Sequence, residues 1–140
     1  MNIRTKEGKQ YVLCAWRRKY VRLTPEELVR QTTLQLLEDK YVFPHGLIGV
    51  ETPIEVAGLK KRCDAIVYNQ HMQPTILIEF KAPTVPLTQE VFDQAAIYNR
   101  HLKVPYLILS NGKDTIVAKI LEKEYYFLDY IPNYNDIVNS

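Results

Sequence analysis

Acidic and basic side chains that could bind a metal ion occur on two apolar segments of this chain. Asp64 lies at the start of residues 63–68, and Glu79 and Lys81 lie at the end of residues 75–80. Side chains alternate along a β-strand, so Glu79 and Lys81 are predicted to point to the same side. If the two segments pair as strands, Asp64 and Glu79 converge at one end of a sheet.

Two neighbouring carboxylates repel each other unless a cation joins them. A hard divalent ion with oxygen ligands suits such a pair, and Mg²⁺, with Mn²⁺ as a substitute, is the simplest choice. Lys81 beside the ion could orient and help to deprotonate a water molecule, or stabilise charge on a phosphate. The alternative is an ordinary ion pair between Glu79 and Lys81 at a sheet edge. The spacing of fifteen residues from Asp64 to Glu79, on an apolar strand, favours the metal site.

Two helices are predicted around these segments. Thr24-Pro25-Glu26-Glu27 is typical of a capping box, with Thr24 as N-cap and Glu27 at the third helical position. The first helix is predicted at residues 25–39, with this buried stripe: Leu28, Val29, Thr32, Leu36 and Leu37. The second is predicted at residues 89–101, capped by Thr88, with these side chains on one face: Val91, Ala95, Tyr98 and Leu102.

The remaining apolar segments predict strands. They cover residues 47–56 (broken by Pro53), 63–68, 75–80, 104–109, 114–121 and 125–128, with a short strand or lead-in at 11–16. Three successive strands predict an antiparallel meander, and the helix after them predicts a crossover to a strand beside them. The predicted fold class is α/β (α+β), a central mixed β-sheet flanked by helices. We expect one domain over residues 1–140, with an N-terminal extension (1–23), a core (24–121) and a C-terminal tail (122–140).

Composition fits a folded cytoplasmic domain. The chain has 140 residues, 46% of them hydrophobic and 24% charged, and no apolar run is long enough for a membrane span or a signal peptide. Cys14 and Cys63 lack the spacing of a zinc site, so we expect reduced thiols.

Positive charge is concentrated in the first half of the chain. Residues 1–62 contain 12 Lys and Arg against 7 Asp and Glu, and residues 63–140 contain 6 against 9, giving net charges of +5 and −3. The basic clusters at residues 17–19 and 60–62 are either solvated loop ends or a phosphate-facing side opposite an acidic pocket. Charge alone leaves both interpretations open.

The spacing of Asp64 and Glu79-x-Lys81 resembles the D…E-x-K core of the PD-(D/E)XK nuclease superfamily, whose restriction-endonuclease-like core has the order αβββαβ. A closer resemblance is to the N-terminal nuclease domain of the type I restriction enzyme R subunit. The matching segments, in order, are Arg17-Arg18-Lys19-Tyr20-Val21, Leu23-Thr24-Pro25-Glu26-Glu27, Val29-Arg30-Gln31, Lys61-Arg62-Cys63-Asp64, Ile78-Glu79-Phe80-Lys81-Ala82-Pro83, Asp93-Gln94 with Tyr98-Asn99, and Ser110-Asn111-Gly112.

This resemblance implies a role for each site residue. Asp64 and Glu79 would be metal ligands, the backbone carbonyl of Phe80 a further ligand, and Lys81 the catalytic lysine. Glu27 would be the acid that the first helix points at the site, or Glu26 if the register differs. Glu27 is also fully explained as a helix-capping residue.

Four further residues would support DNA binding. Gln94 and Tyr98 match a Q-x-x-x-Y element of nucleases coupled to DNA motors and share one helical face. Gln94 would bond DNA or a site residue, and Tyr98 would pack beneath it, or else simply continue the apolar stripe. Lys61 and Arg62, which precede Asp64, would face the DNA.

The resemblance implies Mg²⁺-dependent hydrolysis of DNA in a type I restriction-like system. R subunits carry ATP-dependent helicase modules that this sequence lacks, so we expect separate helicase or translocase, methyltransferase and specificity partners. The alternative function is a non-catalytic nucleic-acid-binding or assembly module with the same fold.

Overall fold

The computed structural model describes residues 1–56 and 58–139. Their helices are α1 (Pro25–Tyr41), α2 (Gln89–Leu102) and α3 (Tyr134–Val138), and His45–Leu47 form a short 3-10 helix. Their strands are β1 (Ile3–Lys6), β2 (Lys9–Cys14), β3 (Lys19–Arg22), β4 (Ile48–Val56), β5 (Leu59–Tyr68), β6 (Pro74–Phe80), β7 (Tyr106–Ser110), β8 (Thr115–Leu121) and β9 (Glu124–Leu128). None of the helices in these ranges has the length and apolar character needed to cross a membrane.

The main sheet has six strands in the order β4-β5-β6-β7-β8-β9. Strands β6 and β7 are parallel and are joined through α2, whereas every other neighbouring pair is antiparallel. The predicted mixed sheet with flanking helices is therefore confirmed, including the meander and the crossover. Because β6 lies in the middle of the sheet, both of its faces are covered, which explains its nearly continuous apolar sequence.

The predicted break at Pro53 is wrong. Strand β4 runs through this residue, which lies opposite Arg62 of β5. Since β4 is at the edge of the sheet, the missing N–H of a proline can face solvent without losing a ladder hydrogen bond. Strand β5 also begins earlier than predicted, so Lys61 and Arg62 lie on the strand and their side chains point to alternate faces.

The N-terminal extension forms a separate three-stranded antiparallel sheet, β1-β2-β3. The sequence predicted only one short strand here, because β1 and β3 are mostly polar. The β1–β2 turn is formed by Glu7 and Gly8, both with positive φ (53° and 75°), as tight hairpins require. On the inner face of this sheet, Val12 and Cys14 are buried.

Apolar side chains fill both faces of the six-stranded sheet. One cluster packs beneath α1 and α3 and includes Leu34, Leu37, Ile78, Phe80 and Ile137. The other packs beneath α2 and includes Ile66, Leu77, Phe92, Leu107 and Leu109. The alternation along β6 therefore sends Ile78 and Phe80 toward α1 and their neighbours toward α2.

The buried face of α1 differs from the predicted stripe. Val29 and Leu37 are buried as expected, but Leu28 and Leu36 are 41% and 45% exposed, and Thr32 is exposed as well. The helix instead buries Leu34 together with three polar side chains: Glu27, Arg30 and Gln31. Apolar periodicity could not indicate this rotation, because the partners of the inward-facing Glu27 and Arg30 include residues outside the helix.

Helix α2 begins after Thr88, whose hydroxyl accepts a hydrogen bond from the Val91 N–H at 3.3 Å. Ala95 and Leu102 are buried as predicted, and Val91 is half-buried. Tyr98 is 41% exposed, so the interpretation of Tyr98 as a core residue is wrong. The turn predicted at residues 110–112 is confirmed: Gly112 has φ +87°, and a Cβ there would approach Val29 of α1 to 3.1 Å.

We predict that Leu37→Ala lowers the free energy of unfolding by about 2–5 kcal/mol, because Leu37 is fully buried and its truncation leaves a cavity. The neighbouring change Leu36→Ala should alter it by less than about 0.5 kcal/mol, since that side chain is largely exposed. Urea denaturation followed by circular dichroism measures both values. Equal losses in the two variants would contradict the observed orientation of α1.

Candidate active site

Asp64 ends the regular pairing between β5 and β6. The ladder of paired residues includes Ala65 opposite Ile78. Beyond that pair, Oδ2 of the Asp64 side chain accepts a hydrogen bond from the Phe80 N–H at 2.8 Å. This contact holds the Asp64 carboxyl group close to that of Glu79, whose pKa is raised first by burial and then by the negative charge of Asp64. The predicted convergence of Asp64 and Glu79 is therefore present in the structure.

Glu79 is a buried carboxyl group, 8% exposed. Burial, and then the negative charge of Asp64, raise the pKa of Glu79 to about 7, although the nearby Lys61 ammonium acts in the opposite direction. Glu79 Oε1 lies 2.8 Å from Lys61 Nζ. Apart from this ion pair, no described donor bonds that buried oxygen. Glu79 therefore keeps lone pairs available for a cation.

Lys61 connects Glu79 to helix α2. Its ammonium lies 3.8 Å from the centre of the Tyr98 ring, a cation–π contact, while it pairs with Glu79 on the other side. This arrangement explains why Tyr98 remains partly exposed at the sheet rather than joining the core beneath α2. Lys61, predicted as a DNA-facing cation, is thus held inside the site by an anion and a ring.

Lys81 follows β6 and lies on the same side as Glu79. Its backbone N–H donates to the Ser110 carbonyl at 2.9 Å, and its half-buried side chain lines a cavity of about 140 Å³ with Glu79, Gln94 and Tyr98. In the described part of the chain, Lys81 has no ion-pair partner, because Glu79 is paired with Lys61. The alternative interpretation, an edge pair between Glu79 and Lys81, does not describe this structure.

Glu27 is engaged by side chains of the N-terminal segment and of its own helix. Its Oε2 lies 2.6 Å from Arg17 Nη2 and accepts a hydrogen bond from Gln31 Nε2 at 3.0 Å. Thr24 caps the helix by accepting the Glu27 N–H at 3.0 Å, but the Glu27 carboxylate is used by Arg17 and Gln31, so the capping box is only half formed. Glu27 therefore fastens the N-terminal sheet to α1.

Glu26, on the first helix, interacts electrostatically with charged groups of the candidate site. Partial burial, and then the negative charge of Asp64, raise its pKa, whereas Arg30 and Lys81 act in the opposite direction. These couplings place Glu26 among the charges of the site, which corresponds to the alternative register for the helix acid. Glu27 and Glu26 differ by one position, and one position rotates a helical side chain by about 100°.

Arg30 is a site residue that the sequence analysis missed. This 4% exposed arginine donates from Nη1 to Glu51 Oε1 at 2.7 Å and to the Asp64 carbonyl at 3.0 Å. Its guanidinium lies 5.9 Å from the Phe80 ring centre. Arg30 therefore links α1 to β4, β5 and β6 at the point where the two carboxyl groups meet.

A sequence signal existed for Arg30 but not for Glu51. Arg30 follows Glu26 by four residues and therefore shares its helical face. Glu51 has a positive φ of 53° and lies between the paired residues Val50 and Thr52, across from Asp64. That irregularity depends on strand register, which composition and periodicity do not report.

Gln94 and Arg62 lie at the margins of the site. Gln94 is exposed on the wall of the cavity that contains Lys81. Arg62 is exposed on the β4–β5 hairpin, where it lines a second cavity of about 520 Å³ with Lys60 and Lys61. Lys61 therefore borders both cavities, and neither Gln94 nor Arg62 is hydrogen-bonded to the carboxyl groups within residues 1–56 and 58–139.

The oxygen donors fit a divalent cation whose remaining ligands come from outside the protein. Among the described residues, no group of three or more His, Cys, Asp or Glu side chains could hold a metal ion. The donor set is a pair of carboxyl groups, one with a buried oxygen whose partner among the described residues is Lys61. Mg²⁺ is commonly bound by one or two carboxylates together with water and phosphate oxygens, so these two residues could hold it together with ligands from outside the protein.

Comparison with known proteins identifies a family and a related fold. The family described as type I restriction enzyme R protein N terminus (HSDR_N) matches residues 25–132. A solved fragment described as the HsdR subunit of a type I restriction enzyme from Vibrio vulnificus YJ016 aligns with a TM-score of 0.61 and 18% identity over 84% of this chain. The chain spans 25% of the length of that relative, and at this identity the likeness shows the fold alone. No curated protein matches significantly.

We predict that, in EDTA, the free energy of unfolding falls as the pH rises from about 4.5 to about 7. In this interval the unfolded chain has released the Glu79 proton while the folded chain retains it, because the folded pKa is the higher one. Below the interval both states hold this proton, and above it neither does. Ionisation of Glu79 should lower the free energy of unfolding of the wild type by on the order of 1–3 kcal/mol between pH 5 and pH 8, and Glu79→Gln should abolish this decrease.

Urea unfolding at several pH values measures this difference. Glu124→Gln, a change to an exposed carboxylate on β9, is the matched control and should retain the wild-type pH dependence. Parallel curves for the wild type and Glu79→Gln would show that Glu79 ionises in the folded protein as it does in the unfolded chain.

Proposed function

This chain belongs to the family of type I restriction enzyme R protein N-terminal domains, and we propose that it hydrolyses phosphodiester bonds of DNA with a divalent metal ion. The family supports a nuclease-like role in a type I restriction system. The observation that carries the finer proposal is the pair of adjoining carboxyl groups, Asp64 and Glu79, beside the unpaired ammonium of Lys81. This is the combination of groups that a PD-(D/E)XK site requires.

Asp64 and Glu79 would hold the metal ion, Mg²⁺ or Mn²⁺. The Phe80 carbonyl is a further candidate ligand, because the N–H of the same residue points at Asp64, and the N–H and C=O of one strand residue face the same neighbouring strand. When bound, such an ion lowers the pKa of a coordinated water and neutralises charge on the phosphate. Without a bound metal ion, the Lys61 ammonium offsets the negative charge of Glu79.

Lys81 is the proposed catalytic residue. Its ammonium is a compact charge that can donate hydrogen bonds to a phosphate oxygen or to the attacking water. In the free protein, Lys81 has no ion-pair partner among the described residues, so its ammonium is available to bind an oxygen of the substrate. Gln94, on the exposed wall of the same cavity, can bond a phosphate or base with its amide.

Arg30 and Glu26 act around the reacting groups. Arg30 fixes the Asp64 backbone by its hydrogen bond to the carbonyl, which keeps the carboxylate in position, so Arg30 is a positioning residue. Glu26 adds negative charge close to Asp64 and Lys81, which favours the binding of a cation.

The proposed partners follow from the family. They are DNA and the helicase or translocase, methyltransferase and specificity components of a type I system, acting in the cytoplasm, where Cys14 and Cys63 would remain reduced. A non-catalytic binding or assembly module is the other function that this fold could serve, and the same experiment distinguishes the two.

We predict that Lys81→Ala lowers the rate of DNA cleavage by about two to four orders of magnitude, the range for a positioned proton-transfer group. Lys81→Arg should not restore it, because a guanidinium is larger and is never deprotonated. The assay is plasmid cleavage with Mg²⁺ and with Mn²⁺, in the presence of the motor partners, with thermal unfolding to show that each variant is folded.

Lys103→Ala, at the opposite end of the sheet, is the matched control and should cut like the wild type. Wild-type cleavage by Lys81→Ala would remove Lys81 from the mechanism. A wild-type protein that cuts nothing with its partners supplied would favour the non-catalytic module.

A further inference from the structure

We propose that the outward face of the N-terminal sheet is a second DNA-binding surface, which holds duplex DNA through its phosphates beside the candidate active site. This surface, called here the basic sheet face, consists of Arg4, Lys6, Lys9, Tyr11, Leu13, Tyr20 and Arg22. It lies outside residues 25–132, the part of the chain that the family matches. It therefore goes beyond the proposed function, which concerns hydrolysis at the carboxyl groups.

Strand register places these residues on one side of the sheet. Tyr11 is opposite Arg4 on one neighbour and Arg22 on the other, so the three side chains form a row across the strands. Lys6 is opposite Lys9, and Leu13 is opposite Tyr20. Side chains two residues apart on a strand share a face. The other face contains Val12 and Cys14, which are fully buried, so the basic sheet face points outward.

The basic sheet face contains cations without matching anions. Arg4, Lys6, Lys9 and Arg22 are exposed, and none pairs with a carboxylate in the part of the chain that the structure describes. Lys6 and Lys9 are directly opposite each other, an arrangement of like charges that weakens a sheet. A polyanion lying on this face would supply the missing negative charge.

The distribution of charge over the chain makes this surface important for a DNA-binding protein. Residues 1–22 contain seven of the 18 Lys and Arg residues and one of the 16 Asp and Glu residues, which leaves eleven basic and fifteen acidic residues in the remainder. The portion that carries the carboxyl pair is therefore net negative and repels DNA. The basic sheet face is the part of the protein that can offset this repulsion.

Two tyrosines hold the arginines of the basic sheet face in place. The Arg4 guanidinium lies 4.6 Å from the Tyr20 ring centre, and that of Arg22 lies 5.8 Å from the Tyr11 ring centre. An arginine ordered against a ring loses less conformational entropy when it binds a phosphate, and its planar N–H groups match the phosphate oxygens. A cavity of about 480 Å³ lies beside this group.

The attachment of the sheet to α1 puts the basic sheet face near the carboxyl pair. Arg17, between β2 and β3, pairs with Glu27 at 2.6 Å, and Leu23 N–H donates to the Gln10 carbonyl at 2.9 Å. Glu27 Oε2 also lies 3.5 Å from Arg30 Nε, and Arg30 donates to the Asp64 carbonyl at 3.0 Å. DNA, rather than an acidic membrane or protein, is chosen as the partner because of the proposed function. The observation that the basic sheet face lacks matching anions does not depend on that function.

The test is DNA binding by a variant in which Arg4, Lys6 and Lys9 are all changed to Gln. Fluorescence anisotropy of a labelled short duplex in EDTA measures affinity without cleavage, over about 50 to 200 mM salt. We expect Kd to rise at least about tenfold at low salt. The slope of log K against log salt should fall by about 2 to 3, since each lost phosphate contact removes about 0.9.

The matched control changes Lys103, Lys119 and Lys123 to Gln, which removes the same charge at the sheet end opposite the carboxyl pair. It should bind DNA within about twofold of the wild type, and thermal unfolding should show that both triple variants are folded. Equal losses in the two variants, an unchanged salt slope, or tighter binding to anionic lipid vesicles than to DNA would overturn the proposal. Because the measurement requires no hydrolysis, a protein that binds in this way but never cuts would contradict only the proposed function.

Discussion

Two carboxyl groups held side by side at the end of a sheet are the constraint on which the site depends. Asp64 and Glu79 repel when both are ionised, and the burial of Glu79 increases the cost, as its raised pKa records. The Phe80 N–H and the Lys61 ammonium, each at 2.8 Å, offset part of this cost. Apolar residues of similar size would often be at least as stable in such a place. The arrangement therefore supports the proposed cation site.

Each element around the pair contributes a contact that keeps it in place. Helix α1 buries Arg30, which bonds the Asp64 carbonyl, and helix α2 places the Tyr98 ring against Lys61. The N-terminal sheet is fastened to the start of α1 through Arg17. The polar inner face of α1, which would be unfavourable in an ordinary core helix, is explained by the charges it positions and satisfies.

The main sheet could be predicted because its signals are local: apolar runs for the central strands, and caps and turns at their ends. The convergence of Asp64 and Glu79 followed from pairing those strands. What could not be predicted depends on partners distant in sequence. Apolar periodicity does not indicate a buried Arg30, and it could not decide between a core position and a site position for Tyr98, whose ring lies against Lys61. Strands β1 and β3 are mostly polar and are defined by their pairing with β2, which their own sequences do not indicate.

The central claim, that Asp64 and Glu79 form a divalent-cation site, is tested most directly by titrating the protein with Mn²⁺ and following the free ion by electron paramagnetic resonance. The account predicts one bound ion per chain, competition by Mg²⁺, and at least about tenfold weaker binding in Asp64→Asn. Glu27→Gln should bind as the wild type does, since Glu27 is occupied by Arg17 and Gln31. Unchanged affinity in Asp64→Asn, or no Mn²⁺ bound even with DNA present, would contradict the account.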